Sequence, residues 1–519
     1  MRGESMNTYK YHIYYTSDVH GSLSALDEAT GQKTKKGLSR IANYLKKQEG
    51  PYMLLDNGDT IQGSSTLSRW AANISQFKCP IAKVMNEMNY QYINVGNHDF
   101  NYGQDVLNSY VNALQGTILC CNVINDQQNP VFKPYDILIL ENNIKIGIIG
   151  AVTHYIPHWE KPNQIQGLTF LDAYLSIKDY VALLRPQVDF LVVLYHGGFE
   201  KDVLSGLPIG RNTDENQGFL IASTLDIDLL LTGHQHIKIS NKVINGTYIM
   251  QTSHSAMDFG HAEINFILNN NRWSIESVMT ELIPSCDEED SIVLELISND
   301  LKETQVWLDK PIGSIHNSDL LIEDAFLSRK NTHPIYQLIN DMQLQTTNAM
   351  ISAASLPNQA IGLHQSITIR DIEATLIYPN SLYVIEITGK TLKLALEKSA
   401  SYFALNNDEI TVNPSFINPK VEHYNYDVYA NITYSISVSK PIGSRITNLA
   451  YKGNPITDYQ VFTLALNNYR AIGGGDYHMF ENSNIIAEYE IPLSTLLQDY
   501  IKSKKVIIPK IANHITIIT

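Results

Sequence analysis

Tyr92-Ile93-Asn94-Val95 leads directly into Gly96-Asn97-His98-Asp99, and the chain continues as Phe100-Asn101-Tyr102-Gly103. A short, largely apolar run ending at glycine reads as a buried strand opening into a turn, and this turn carries an amide, an imidazole and a carboxylate in succession. Four other segments share the form: Asp18-Val19-His20-Gly21, Gly58-Asp59, His196-Gly197-Gly198 and Gly233-His234-Gln235-His236. Each follows a short apolar run, so each is expected where a buried strand ends. Taken singly, Asp-x-His, Gly-Asp and His-Gly-Gly pass for turns or loops, whereas Gly-Asn-His-Asp and Gly-His-x-His are more specific. Their occurrence in this order makes chance a poor account.

A two-metal centre needs such residues converging at one rim. Two adjacent divalent ions activate a bridging water and clamp the oxygens of an in-line phosphoryl displacement. The site calls for a carboxylate able to bridge, terminal His or Asp ligands, and a neutral oxygen donor. Asp18 and His20 share one side of an extended segment and can reach one ion. Asp59, after Gly58, is the candidate bridge, and Asn97 offers its carbonyl oxygen. His196 and His234 complete one ion, while His236 returns to the other. This set, free of thiolate, fits two divalent ions chosen among Mn, Zn, Fe or Co. His154, His158, His254 and His261 lack ligand-like partners in sequence and take a structural reading, with His254 the one that could lie near the site.

The 519 residues suffice for two or more domains, with an ordinary 44% hydrophobic and 18% charged content. A net charge of −15 and a pI near 5.5 argue against a duplex or membrane-surface binder. A small anionic substrate stays compatible, because bound cations reverse the local field. No apolar run has transmembrane length, and Met1 to Lys10 shows no signal peptide, with Met6 a candidate natural start. Cys79, Cys120, Cys121 and Cys286 lack metal spacing and read as reduced thiols. A cytoplasmic location is the expectation, unless a processed signal has been trimmed. The sequence is silent on oligomeric state.

Strand-like and helix-like stretches alternate through the first half: Tyr11 to Thr16, Leu38 to Lys47, Tyr52 to Leu55, Ile81 to Met88, Ile144 to Ile149, Phe190 to Leu194 and Leu229 to Leu231. Thr247 to Gln251, His261 to Leu268 and Trp273 to Leu282 read as strands without intervening helices, which predicts a second sheet and a layered α/β sandwich. An acidic amphipathic helix is expected over Asp287 to Leu308, and further helices over Asp319 to Leu327 and Pro334 to Gln345. The organisation predicted is a catalytic domain over 8–285, a helical linker over 286–330, and an α+β domain over 331–519.

The motif series resembles that of the calcineurin-type metallophosphoesterase superfamily, which it matches without gaps. The resemblance implies an α/β/β/α sandwich in which Asp18, His20, Asp59 and His236 hold one ion and Asp59, Asn97, His196 and His234 the other. His98 would stabilise the transition state or protonate the leaving oxygen, a role suited to imidazole. Asp99 keeps two readings, a carboxylate orienting a histidine or a helix-starting Asp.

The stretches Leu376 to Lys390, Leu396 to Phe403, Tyr424 to Val428 and Asn467 to Asp476 are similar to the C-terminal domain of the 5′-nucleotidase family. The pattern is nearest its 2′,3′-cyclic-nucleotide 2′-phosphodiesterase/3′-nucleotidase branch. By family position Tyr378 and Tyr469 would sandwich a nucleobase, and Asp476, after three glycines, could accept from ribose hydroxyls. Two departures lean away from simple 5′-nucleotidases, which carry Asp where this chain has Asn101 and an arginine near the equivalent of Ile351 to Asn358. The implied activity is nucleotide hydrolysis by a metal-bridging hydroxide, with a cleft closed by domain rotation and a small-molecule nucleotide as partner rather than a nucleic acid polymer or membrane. Three alternatives stand beside it: 5′-nucleotidase or UDP-sugar hydrolase action, an inactive nucleotide-binding module, and sulfur-ester hydrolysis.

Overall fold

The structure, a computed structural model, describes all residues except 1–7, 161, 210–213, 379, 408, 419–420, 490 and 511. The candidate start at Met6 and Pro379 of the Tyr378 motif lie outside the described residues. The chain divides into two compact units that meet in sequence between Gln305 and Val306, within the helix Ser291–Leu308.

The first unit is built on two six-stranded sheets. One runs in the order Arg272–Pro284, Asp258–Asn269, Thr8–Thr16, Tyr52–Asp56, Tyr92–Ile93, Thr117–Ile118, with the last four strands parallel. The other runs Ile239–Ile244, Thr247–Gln251, Leu229–Thr232, Phe190–His196, Lys145–Val152, Tyr135–Ile139. Side chains alternate across each strand and so sort into layers. Ile13, Tyr15, Met53 and Leu55 meet Ile146, Ile148, Val192, Leu194, Leu229 and Leu231 between the sheets. Tyr14 and Leu54 face the other way, onto the helices Leu38–Leu45 and Pro80–Glu87. Ile149, Leu191, Val193 and Leu230 pack on Ala173–Leu184 and Gly218–Thr224. The result is a four-layer helix–sheet–sheet–helix sandwich whose central strands are covered on both faces, which is why they read as unbroken apolar runs.

Two expectations shift. Of the late strands, only Thr247–Gln251 joins the second sheet; Asp258–Asn269 and Arg272–Pro284 extend the first, antiparallel to Thr8–Thr16. Asp319 to Leu327 is not one helix. Leu320–Leu321 pairs with Gly362–Leu363, and the helix Ala325–Lys330 begins only where the Asp324 side chain accepts from the Leu327 amide.

The second unit centres on a five-stranded sheet ordered Asp427–Ala430, Ile351–Ser355, Val461–Asn467, Leu382–Thr388, Asn484–Tyr489. The helices Pro334–Thr347, Gly389–Ala400 and Leu493–Lys504 close one apolar core with it, alongside a separate four-stranded sheet. Among the described residues no helix is long and apolar enough to cross a membrane.

Candidate metal centre and nucleotide pocket

Every ligand-bearing segment leaves the carboxyl end of a strand. Asp18 and His20 follow Thr8–Thr16, Asp59 follows Tyr52–Asp56, and Asn97 follows Tyr92–Ile93. His196 ends its own strand, and His234 and His236 follow Leu229–Thr232. Asp18 and His20 are not extended, as their spacing suggested. They have φ of +56° and +48°, and Asp59, His234 and His236 share the left-handed region at +56°, +70° and +57°. Such residues cost about 1–2 kcal/mol each unless their surroundings hold them. Here the amides of Asp18, His20 and Gly21 bond to the carbonyls of Gly58, Asp59 and Thr60, stitching one ligand loop to the next.

Two clusters result: Asp18, His20 and His236 place ligand atoms within 4.8 Å of one another, and so do Asp59, His196 and His234. His20 Nε2 lies 3.2 Å from His236 Nε2, and Asp18 Oδ1 lies 3.3 Å from the latter. Asp59 Oδ2 is 3.2 Å from His196 Nε2, and Asn97 Oδ1 is 3.2 Å from that nitrogen and 2.9 Å from His234 Nδ1. Ligands held at about 2.1 Å around one ion sit roughly 3.0–3.4 Å apart, so these spacings suit shared coordination. The outer nitrogens are already committed. His20 Nδ1 faces the Gln62 carbonyl at 3.1 Å and His196 Nδ1 that of Asn57 at 2.7 Å, leaving each Nε2 to coordinate. His234 is reversed, with Nε2 on Glu215 Oε1 at 2.7 Å and Nδ1 toward Asn97.

The electrostatics agree with a cation. Asp18 and Asp59 are buried, and among the described residues their ion-pair partners are histidines. Burial pushes the Asp18 carboxyl up, but His236 and His196 outweigh it and hold it at about 2. Burial pulls His196 down, yet Asp59 and Asp18 raise it to about 10, while burial chiefly takes His20 down to about 3. A divalent ion would satisfy the same two carboxylates and leave His196 neutral to ligate. Asp59 Oδ2, buried and without a hydrogen-bond partner among the described residues, is a further sign that the residues fit one.

Asp99 takes neither the position of a histidine partner nor a place in the clusters. Its oxygens accept from the amides of Asp59, Thr60, Ile61 and Gly96, so this buried carboxylate staples the Asp59 loop to the Asn97 turn. It also stands in the first turn of the short helix Asn97–Phe100, close to the helix-starting reading. The partner of His98 is Asn101, whose Oδ1 lies 2.8 Å from His98 Nδ1. The His98 ring stands 5.4 Å from that of His20, beside the clusters. His254 stands 4.9 Å from His236 by ring centroids.

In the second unit a pocket of about 380 Å³ is lined by Tyr378, Tyr424 and Tyr469 together with Asn358, Asn380 and Asn467. Tyr378 and Tyr469 remain 39% and 40% exposed, so their rings stay available for stacking. Asp476 is not part of this lining; its carboxylate accepts from Lys398 at 3.0 Å. Behind Tyr469, the buried Arg470 forms a two-pronged pair with Asp427 at 2.9 and 3.0 Å and lies over the Tyr477 ring. Sequence reasoning missed Glu215, Tyr424 and the Arg470–Asp427 pair. Glu215 sits in a polar loop with no periodicity, whereas Tyr424 and Arg470 fell within recognised stretches without a role.

Residues 11–238 match the family model for calcineurin-like phosphoesterases, and residues 311–482 that for the 5′-nucleotidase C-terminal domain. The chain is 27% identical to a trifunctional nucleotide phosphoesterase protein of Bacillus subtilis over 97% of its own length, although it spans only 38% of that relative. It is 27% identical to a 2′,3′-cyclic-nucleotide 2′-phosphodiesterase/3′-nucleotidase of Yersinia enterocolitica, covering 92% of this chain and 84% of that one. A Staphylococcus aureus crystal structure, provisionally described as a 5′-nucleotidase in complex with alpha-ketoglutarate, superposes with a TM-score of 0.70 at 30% identity, covering 98% of this chain and 100% of that one. The chain therefore belongs to the calcineurin-like phosphoesterases that carry a 5′-nucleotidase C-terminal domain, and it is a metal-dependent nucleotide phosphoesterase of that family.

Proposed function

We propose that the chain hydrolyses 2′,3′-cyclic nucleotides and then the resulting 3′-nucleotides. The observation that carries this reading is the His98 contact: its Nδ1 meets the Asn101 amide at 2.8 Å, where simple 5′-nucleotidases have a carboxylate. The likeness to the Yersinia relative over 92% of the chain supports it.

Asp18, His20 and His236 would hold one divalent ion and Asn97, His196 and His234 the other, with Asp59 offered to both. When bound, such a pair supplies a nucleophile at neutral pH and neutralises charge on the phosphoryl oxygens. His98 gives a proton from Nε2 to the departing ribose oxygen as the P–O bond breaks, and regains one from solvent. Tyr378 and Tyr469 grip the base on its two faces, a contact worth about 1–3 kcal/mol per base. Asn358, Asn380 and Asn467 offer polar groups around it.

A second reading, 5′-nucleotidase action, draws on the Staphylococcus aureus neighbour. Product release from 2′,3′-cyclic AMP, 3′-AMP, AMP and a UDP-sugar, on enzyme reconstituted with Mn²⁺, separates the two. Faster turnover of AMP than of the cyclic and 3′ substrates would sink the first.

A further inference from the structure

We propose that Glu160 is a positioning residue for His98, acting through Asn101, so that the proton donor is the end of a three-member chain of imidazole, amide and carboxylate. This rests on the reading of His98 as the group that protonates the leaving oxygen. His98 Nδ1 lies 2.8 Å from Asn101 Oδ1, and Asn101 Nδ2 in turn donates to Glu160 Oε1. Glu160 is only 8% exposed, and its amide bonds to the Ile156 carbonyl at 3.0 Å. The Gln164 side chain also donates to the Asn101 carbonyl, so the segment after the short helix Ile156–His158 grips Asn101 at two points.

The chemistry follows from what each group can give. An asparagine side chain presents an acceptor on one prong and donors on the other, and by itself it can face a histidine either way. An ionised carboxylate only accepts. With Glu160 behind it, Asn101 must turn its NH₂ toward Glu160 and its oxygen toward His98. The imidazole then keeps a proton on Nδ1, bonded to Asn101, and works through Nε2. The negative charge thus sits one side chain back from the imidazole, and the amide transmits only its orientation.

Moving the charge tests this. Asn101→Asp alone sets two carboxylates against each other, and Glu160→Gln alone lets the amide reverse. Each should lower kcat by about 10–100-fold on an alkoxide-releasing substrate. The double variant Asn101→Asp/Glu160→Gln rebuilds a chain of the same polarity, with glutamine donating to aspartate, and should recover to within about 5-fold of the parent. Bis(p-nitrophenyl) phosphate, whose leaving group departs without a proton, should lose several-fold less in either single variant. Whichever of 2′,3′-cyclic AMP, 3′-AMP or AMP is turned over best serves as the alkoxide substrate, so a wrong substrate assignment shows in the parent enzyme and leaves the relay test intact. In metal-free protein, ¹⁵N spectra should show His98 with its proton on Nδ1 in the parent and the double variant. Singles that lose both substrates equally, a double variant that sums the two losses, or a His98 tautomer unmoved by Glu160→Gln would each overturn the proposal.

Discussion

At the scale of single residues, the ligands announce themselves in sequence and their supports do not. His234 is the instructive case. Its Nε2 is fixed by Glu215, whose own backbone carbonyl accepts from Tyr195 in the strand Phe190–His196 and from Thr153 just past the strand Lys145–Val152, so the loop carrying it is anchored at two points. Glu215→Ala should weaken the ion held with Asp59 by about 10–100-fold, read by Mn²⁺ titration of metal-free protein, with Glu215→Gln losing less. Asp56 is another silent support. Burial pushes its carboxyl up to about 7 despite hydrogen bonds from Thr16, Thr60 and the Gly58 amide. A folded-state value above the unfolded one of about 3.9 means that the folded chain holds the extra proton between those limits. The contribution of this group is therefore complete below about pH 4 and is lost as pH rises through 7. Asp56→Asn should flatten the fall in urea midpoint across about pH 4–7, by at most about 1.4 kcal/mol per pH unit.

At the scale of elements, two ligand loops touch backbone to backbone. Gly58 has φ +89°, and a Cβ there would meet the Gly96 nitrogen at 2.2 Å. Gly96 is as confined from its side, where a Cβ would fall 2.2 Å from Asp59 Oδ1. Gly58→Ala should destabilise the first unit by about 3–5 kcal/mol, combining left-handed strain with a clash against backbone that cannot yield. Chemical denaturation reads this directly, and a loss under about 1 kcal/mol would mean that the two loops can separate freely. Strands such as Thr247–Gln251 coincide with their sequence reading because apolar runs between turn signals leave little choice. The helix at Ala325–Lys330 does not, since capping by Asp324 outweighed the apolar spacing upstream.

At the scale of the molecule, the His/Asp clusters and the tyrosine-lined pocket lie in units with separate cores. Tyr469→Ala should weaken nucleotide use by about 5–150-fold, the equivalent of one lost stacking contact, while sparing bis(p-nitrophenyl) phosphate. Equal losses on both would contradict the division of labour. Chelation should lower the melting temperature of the first unit alone. An ion present at about a thousand times its dissociation constant contributes about 4 kcal/mol, and its removal leaves Asp18 and Asp59 buried with histidines as their ion-pair partners. Calorimetry resolving two transitions, one of them insensitive to chelator, is the expected record.

The residue types and order of the five motifs determined by themselves a set of metal ligands at strand ends, the order of strands and helices a layered α/β sandwich, and the resemblance of the motif series implied the phosphoesterase chemistry, because buried parallel strands and metal ligands both leave local signatures. Alternation and apolar runs are short-range properties, legible over a few residues. The tertiary structure alone decided what stands behind each ligand: Glu215 on His234, Asn101 with Glu160 on His98, Asp99 across four amides, and Arg470 with Asp427 behind Tyr469. Glu215, Glu160 and Asp427 come from loops and strands remote in sequence from the side chains they support, and a hydrogen bond between such segments imposes no spacing on either. Only the folded chain, which must find partners for most of its buried polar groups at once, brings them together.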